Sequence, residues 1–284
     1  MRELRMVQYA VSFSVHALAS GSSGNSTLIA HRAAGRATYL LIDAGLTVRG
    51  MQSALARFGI HPDMLSGIVV THEHADHSRS VYSIGRKFGV PIVANERTLS
   101  SVIGTDREIA HQALATGGRA RFGPVEIETF PVPHDAADPV GVNVYADGFK
   151  VSQVTDAGCI TPAMRDATRS ANLMILEANH DVYRLRTGPY PDILKRRILS
   201  DHGHLSNETA VKFLVEHLID NGPSAFWLAH LSKTNNLPKL ALSYARATLT
   251  MATRCPFVLD IALRDRPSAT WSAGENALQL SLFQ

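Results

Sequence analysis

Residues 71–77 read Thr71-His72-Glu73-His74-Ala75-Asp76-His77, and five of these seven side chains can ligate a metal. A short apolar strand, Ile68-Val69-Val70, runs into the stretch, and a run with helical spacing, Ser80 to Phe88, leaves it. The ligands are therefore expected on a loop at a strand end, held by rigid elements on both sides. Side chains two apart in extended backbone point to the same face, so His72 and His74 can close on one metal. Asp76 and His77 follow the turn and can close on a second metal beside it. Imidazole with carboxylate suits zinc, manganese or iron rather than calcium. Two metals about 3.5–4 Å apart can hold a hydroxide between them at neutral pH. A lone histidine reads as an ordinary surface or core residue; three histidines and an aspartate within six positions outweigh that reading.

The H-x-H-x-D-H order resembles the signature of the metallo-β-lactamase superfamily. That resemblance implies an α/β (α+β) fold, the αββα sandwich of two mixed β-sheets flanked by helices, with the metal site at the edge of the sheets. It also implies three later ligands: a histidine, an aspartate and a second histidine. The chain offers one of each just past a stretch read as a strand: His134 after Val125–Phe130, Asp156 after Lys150–Val154, and His230 after Ala225–Ala229. A carboxylate shared between two cations stays ionised at low cost and fixes their separation, so Asp156 is the expected bridge.

The chain has 284 residues with 45% apolar content, enough to bury a large core. We read it as a single domain over 1–284, with a core over about 13–265, an N-terminal extension 1–12 and a C-terminal tail 266–284. A formal net charge of +3 permits nucleic-acid contact without arguing for it. Cys159 and Cys255 are the only cysteines, so neither a disulfide framework nor a thiolate zinc site is expected, and a reducing cytoplasm fits. No run of 18 apolar residues exists, and no membrane-spanning helix is expected. Arg2 and Arg5 ahead of Met6–Leu18, with Ala17-Leu18-Ala19, look like a secretory leader. Gln8, Tyr9, Ser12, Ser14 and His16 interrupt that apolar run and favour a first β-strand instead.

Hydrophobic periodicity predicts strands over 13–18, 27–30, 39–42, 68–70, 90–94, 125–130, 150–154, 172–176, 225–229 and 257–263, and a turn then a strand over 138–145. Helices are predicted over 48–58, 80–88, 96–103, 208–218 and 238–251. Strands with ligand-bearing ends, separated by helices, suit a layered sandwich. The polar loop Ser20–Ser26 is either a plain hairpin turn or a set of amides and hydroxyls facing the metals or a phosphate. Asp43 either caps a turn or orients a ligating histidine. Arg184, Arg186, Lys195, Arg196 and Arg197 surround Gly188-Pro189-Tyr190-Pro191. This basic run is either a solvated segment or a contact for a phosphate backbone, with tyrosines available for stacking.

Several stretches carry a closer resemblance. They are Ser20–Ser26, Leu41-Ile42-Asp43-Ala44-Gly45, His134-Asp135-Ala136 and Glu177-Ala178-Asn179-His180-Asp181, then Gly188–Pro191, Gly203-His204-Leu205-Ser206-Asn207, His230-Leu231-Ser232 and Asn235-Asn236. Together, over roughly residues 13 to 240, they resemble the YycJ/WalJ branch of the metallo-β-lactamase-fold hydrolases. The resemblance implies a cytoplasmic enzyme acting as a 5′-to-3′ DNA exonuclease through a metal-bridging hydroxide, related to RNase Z and to small phosphodiesterases. It implies two divalent metals, zinc or manganese with iron as an alternative. It implies a nucleic-acid partner, DNA ahead of RNA, no membrane, and a dimer as one option for assembly. Carried over by residue, His72, His74 and His134 hold one metal, Asp76, His77 and His230 the other, and Asp156 bridges. His204 is the expected proton donor and, with Asp76, the catalytic pair; Asn25, Asp43, His180, Ser232 and Asn235 are expected to support the ligands or bind substrate. The sequence departs at His16, where an aliphatic residue is expected, and at Ala157, where threonine is. Rival readings are a small cyclic or bis-phosphodiesterase, an RNase Z-like ribonuclease, and a thioester hydrolase of the same fold. A non-catalytic metal-binding module would be expected to have lost ligands, and none is missing here.

Overall fold

The structure, a computed structural model, describes residues 12–33, 35–222 and 224–274. The first sheet takes β1 (Ser12–Ala19), β2 (Ser26–Ala33), β3 (Arg36–Ile42), β4 (Gly67–Val69), β5 (Ile92–Ala94) and β6 (His111–Ala113). The second takes β7 (Arg119–Phe122), β8 (Val125–Pro131), β9 (Val140–Ala146), β10 (Phe149–Val154), β11 (Leu173–Glu177), β12 (Ser224–Ala229) and β13 (Phe257–Ile261). A last strand, β14 (Thr270–Ser272), returns to the first sheet, giving the orders β14-β1-β2-β3-β4-β5-β6 and β13-β12-β11-β10-β9-β8-β7 among the described residues. Each sheet is half antiparallel and half parallel: β3 to β6 run parallel in one, β10 to β13 in the other.

Side-chain patterns explain the difference between the halves. In β1 and β8 apolar residues alternate with half-exposed ones, so Phe13, Val15, Val125 and Ile127 face the core while Ser14, His16, Glu126 and Glu128 do not. In β4, β5, β11 and β12 every residue is buried, as expected of parallel strands covered on both faces. One face packs sheet on sheet, with Phe13, Val15, Leu40 and Ile42 against Ile127, Val142, Ile175 and Trp227. The outer face of the first sheet is covered by α1 (Val48–Ala56), α3 (Val81–Phe88) and α4 (Glu96–Val102), with Met51, Leu55, Ile84 and Leu99 buried on Leu41, Ile68 and Ile92; the four-residue α2 (Ala75–Ser78) joins β4 to α3. The outer face of the second sheet carries α5 (Pro162–Thr168), α8 (Asn207–Asn221) and α9 (Pro238–Ala252), while two short helices, α6 (Val182–Thr187) and α7 (Asp192–Ile198), stand between β11 and α8 in the chain. Met164, Phe213, Leu214 and Leu249 pack there on Met174, Leu176 and Phe226. The αββα sandwich of two mixed sheets is therefore the architecture.

The expected strands and helices are all present, and β6, β7, β14, α2, α5, α6 and α7 are additional, α2 lying where a loop was expected. The stretch after residue 266, read from the sequence as a tail, is a correction: residues 270–272 close one edge of the first sheet, with Val15 opposite Trp271. Trp271 is buried edge-on against Phe13 of its own sheet (5.7 Å) and Phe149 of the other (5.8 Å), so it ties the sheets together. Residues 1–11 and 275–284, the greater part of the expected extension and tail, lie outside the described residues. Trp271→Ala is expected to cost about 3–5 kcal/mol of stability by emptying a fully buried aromatic site. Urea unfolding of the variant measures this, and a loss near zero would return residues 266–274 to the status of a tail.

Candidate metal centre

Six chain segments converge at one edge of the sandwich, each just past the carboxyl end of a strand or at its last residue. Asp43 follows β3, residues 71–77 follow β4, His134 follows β8 and Asp156 follows β10. Glu177 ends β11, and His230 follows β12. Carboxyl ends of parallel strands are where open α/β sheets bind ligands. Five non-glycine residues adopt positive φ among the described residues, and three of them are Asp43 (63°), Asp156 (58°) and His230 (53°). This left-handed turn is costly for a residue with a Cβ, and it ends the strand while turning the side chain toward the shared edge.

The 71–77 stretch forms α2 with His74 as its N-cap; the His77 and Ser78 amides both donate to the His74 carbonyl at 2.9 Å. That single turn folds Asp76 and His77 back beside His72. A glycine is required at position 45, because a Cβ there would overlap the Asp76 carbonyl that accepts from the Asn25 amide.

Two groups of side chains result. The rings of His72, His74 and His134 lie 4.7 to 5.3 Å apart. Asp76, His77 and His230 form the second group, their ligating atoms all within 4.8 Å of one another. Asp156 stands between them: Oδ2 is 2.8 Å from His77 Nε2, and Oδ1 is 3.9 Å from His134 Nε2. Nδ1 is tied outward in four of these five rings. His77 Nδ1 donates to Asp43 Oδ2 (2.7 Å), His134 Nδ1 to the Gly203 carbonyl (3.1 Å) and His230 Nδ1 to Glu177 Oε1 (2.8 Å), while Thr71 Oγ1 pairs with His72 Nδ1 (3.0 Å). Nε2 of His72, His77, His134 and His230 is thereby left for the cluster, the tautomer that ligates a metal. His72 Nε2 and His230 Nε2 are buried with no hydrogen-bond partner among the described residues. Buried polar atoms are normally paired, so these orphans fit metal ligands.

The charges agree. Burial, then the charge of His77, hold His72 well below its ordinary 6.5, so it is a neutral ligand. Burial pulls Asp156 upward, but His230 and His77 outweigh it and keep the carboxyl well below the usual range. Burial lowers His230, but the Asp156 charge and the neighbouring Asp76 and Glu177 carboxylates lift it to about 10.

Residues 38–230 match the family described as the Beta-lactamase superfamily domain. The chain is 37% identical over 230 residues to the exodeoxyribonuclease YycJ of Bacillus anthracis, covering 79% of this chain and 84% of that protein. It is 38% identical over 236 residues to the exodeoxyribonuclease WalJ of Streptococcus pneumoniae, covering 81% and 86%. The chain belongs to the YycJ/WalJ branch of the metallo-β-lactamase-fold hydrolases. It is a metal-dependent hydrolase. The metallo-β-lactamase fold protein YhfI from Bacillus subtilis shares the fold, with a TM-score of 0.69, 16% identity and coverage of 92% of this chain and 100% of that one. No helix among the described residues is long and apolar enough to cross a membrane.

With the YycJ/WalJ assignment made, the supporting residues can be placed. Asn25 lies 2.9 Å from His77 Nε2 and 3.4 Å from Asp76 Oδ2, and the Ser20 hydroxyl accepts from the His230 amide (2.8 Å), so the Ser20–Ser26 loop faces the centre. Asp43 holds both His77 and the Thr71 amide. Ser232 lines a cavity beside His204. His180 and Asn235 are buried, and their side chains make no hydrogen bond to any group in the cluster. Of the five basic residues at 184–197, Arg197 alone lines that cavity; Lys195 Nζ is turned onto the Arg186 carbonyl (3.0 Å).

Sequence reasoning missed Glu177. It is fully buried, and its Oε1 accepts from both His204 Nδ1 and His230 Nδ1 at 2.8 Å. Burial raises it, but protonated His204 and the two hydrogen bonds bring it down from 4.5 to about 2. An acidic residue ending an otherwise apolar strand, the same signal that marked Asp43, could have found it.

These shifts set a pH window for the metal-free protein. His230 is raised from 6.5 to about 10, so its contribution is whole below 6.5 and lost as pH rises through about 10. Glu177 is lowered from 4.5 to about 2, so its contribution is whole above 4.5 and lost as pH falls through about 2. Burial pushes His16 and His180 down to about 4, so they oppose stability as pH falls below 6.5; metal-free protein is therefore expected to resist urea best near pH 6.5 and to weaken toward both about pH 4 and about pH 10. Metal ligation replaces those protons, so loaded protein should keep its midpoint above neutrality. Equal alkaline losses with and without chelator would contradict the assignment.

Proposed function

We propose that the protein is a two-metal phosphodiesterase that degrades DNA from a 5′ end in the cytoplasm. The observation that carries the two-metal reading is Asp156, one buried carboxylate between two separate histidine groups. In this reading His72, His74 and His134 hold one metal, Asp76, His77 and His230 hold the other, and Asp156 touches both. Zinc and manganese suit this nitrogen and oxygen set, with iron as an alternative. Bound there, divalent metals supply Lewis acidity toward water and toward the phosphoryl oxygens. DNA as substrate rests on the two relatives named exodeoxyribonucleases.

The chain's own contribution centres on His204. Its side chain is 21% exposed, against 2% or less for His77 and His230, so it borders the open side of the cluster. Burial disfavours its proton, but the charge and hydrogen bond of Glu177 prevail and the pKa is raised. Glu177 fixes Nδ1 and leaves Nε2–H free to meet a leaving oxygen. General-acid assistance of this kind is worth about 10²–10⁴-fold. Asp43 and Glu177 keep His77 and His230 in register, and Asp156 fixes the spacing.

Purified protein supplied with manganese or zinc should shorten 5′-labelled duplex DNA from its labelled end. Cleavage of a tRNA precursor alone would favour the RNase Z-like reading, and hydrolysis of bis-p-nitrophenyl phosphate alone a small phosphodiesterase. Elemental analysis should find two metals per chain, and Asp156→Ala should lose both; full loading of that variant would remove Asp156 from the bridge. His204→Ala should keep both metals but slow DNA cleavage by about 10²–10⁴-fold. It should slow bis-p-nitrophenyl phosphate much less, because p-nitrophenolate leaves without a proton. Equal losses on both substrates would contradict the proton-donor role.

A further inference from the structure

Beside His204 lies a cavity of about 170 Å³ that none of the metal-facing groups fills. It is smaller than the roughly 300–1,000 Å³ of pockets that enclose a drug-sized ligand, so one base with its sugar is the scale it fits. Tyr190, Leu194 and Ile198 supply the apolar wall. The opposite character comes from Arg197, whose Nε donates to Asp135 Oδ2 at 2.5 Å. This pair stands next to the centre, since Asp135 Oδ1 is 3.3 Å from His134 Nε2. Asn179 gives its amide hydrogen to the His230 carbonyl (3.0 Å), and its amide oxygen stays available to an N–H or O–H donor. An aromatic face, one acceptor and one paired guanidinium match a nucleoside attached to phosphate.

We propose that this cavity is the subsite for the nucleoside on the leaving side of the scissile bond, with Tyr190 as its stacking face. The inference rests on the nuclease reading above. The group that protonates the leaving oxygen in that reading, His204, is itself part of the cavity wall, so whatever carries that oxygen lies in the cavity. In 5′-to-3′ degradation to nucleoside 5′-monophosphates, the leaving oxygen is O3′ of the terminal nucleoside. Water oxygen bonds to phosphorus as the P–O3′ bond breaks; O3′ leaves with the proton from His204, the proton lost by water passes to solvent, and the phosphate stays on the shortened strand. A cavity for a single nucleoside then also accounts for removal of one residue at a time.

The test compares two metal-loaded reactions on a duplex with a one-nucleotide, 5′-phosphorylated 5′ overhang. In one the overhanging residue is thymidine; in the other it is a baseless tetrahydrofuran analogue. The wild-type protein should release the baseless residue about 10-fold more slowly in kcat/KM, the worth of one stacking contact. Tyr190→Ala should lose that ratio by slowing the thymidine substrate, and Tyr190→Phe should keep it. In the wild-type protein alone, thymidine 5′-monophosphate should inhibit about 10-fold more strongly than 2-deoxyribose 5-phosphate, a readout that stands even where the alanine variant does not fold. Equal wild-type rates on the two ends, or a ratio unchanged in Tyr190→Ala, would overturn the subsite while leaving the nuclease reading intact. Failure to cleave either DNA would overturn both.

Discussion

The structure depends on one buried carboxylate. Asp156 is removed from water, 2% exposed, at the meeting point of imidazoles from both sheets. An isolated ionised carboxylate in that position costs many kcal/mol, and it persists only with cationic partners. Without metal, protons on His77 and His230 meet that need. With metal, the same nitrogens turn from donors into ligands, so proton and cation compete for one set of atoms. The outward partners Asp43 and Glu177 serve both states, because each fixes an Nδ1 and leaves Nε2 facing the ligand group: His77 Nε2 is 2.8 Å from Asp156 and His230 Nε2 is 3.5 Å from Asp76.

The fold exists, in this view, to bring six strand ends to one edge with their side chains turned inward. The parallel halves of the two sheets supply five of those ends and antiparallel β8 the sixth, and the outer helices hold the sheets in place. Asp43, Asp156 and His230 each bear a backbone conformation that is unfavourable outside glycine, and each sits where its strand stops. Strain of this kind survives where the surroundings fix it. Here the fixing contacts are short: the Asp43 amide donates to Val69, the Thr71 amide to Asp43, and the His230 amide to Ser20.

Much of this was legible in the sequence, for physical reasons. His72, His74, Asp76 and His77 are four ligand-type residues in six positions, and their density carries the signal without any tertiary contact. His134, Asp156 and His230 become readable through strand patterning, since each follows a stretch that reads as a strand. Buried parallel strands such as Ile68–Val70 announce themselves by continuous apolar character. What was missed lacks that kind of local mark. Glu177 looks like any charged residue at a strand end until folding buries it between two histidines. β14 is three residues long, and Trp271 acquires its meaning only beside Phe13 and Phe149. The basic run looked uniform in sequence, yet folding sets Arg197 on the cavity wall and turns Lys195 away, because residues two apart on one helix, here α7, face nearly opposite sides.

The most direct measurement is a crystal structure of the metal-loaded protein with diffraction collected at the absorption edge of the bound metal. The account predicts two anomalous peaks flanking the Asp156 carboxylate, one within bonding distance of His72, His74 and His134 and the other of Asp76, His77 and His230. A single peak, or a pair in which Asp156 touches only one, would contradict it.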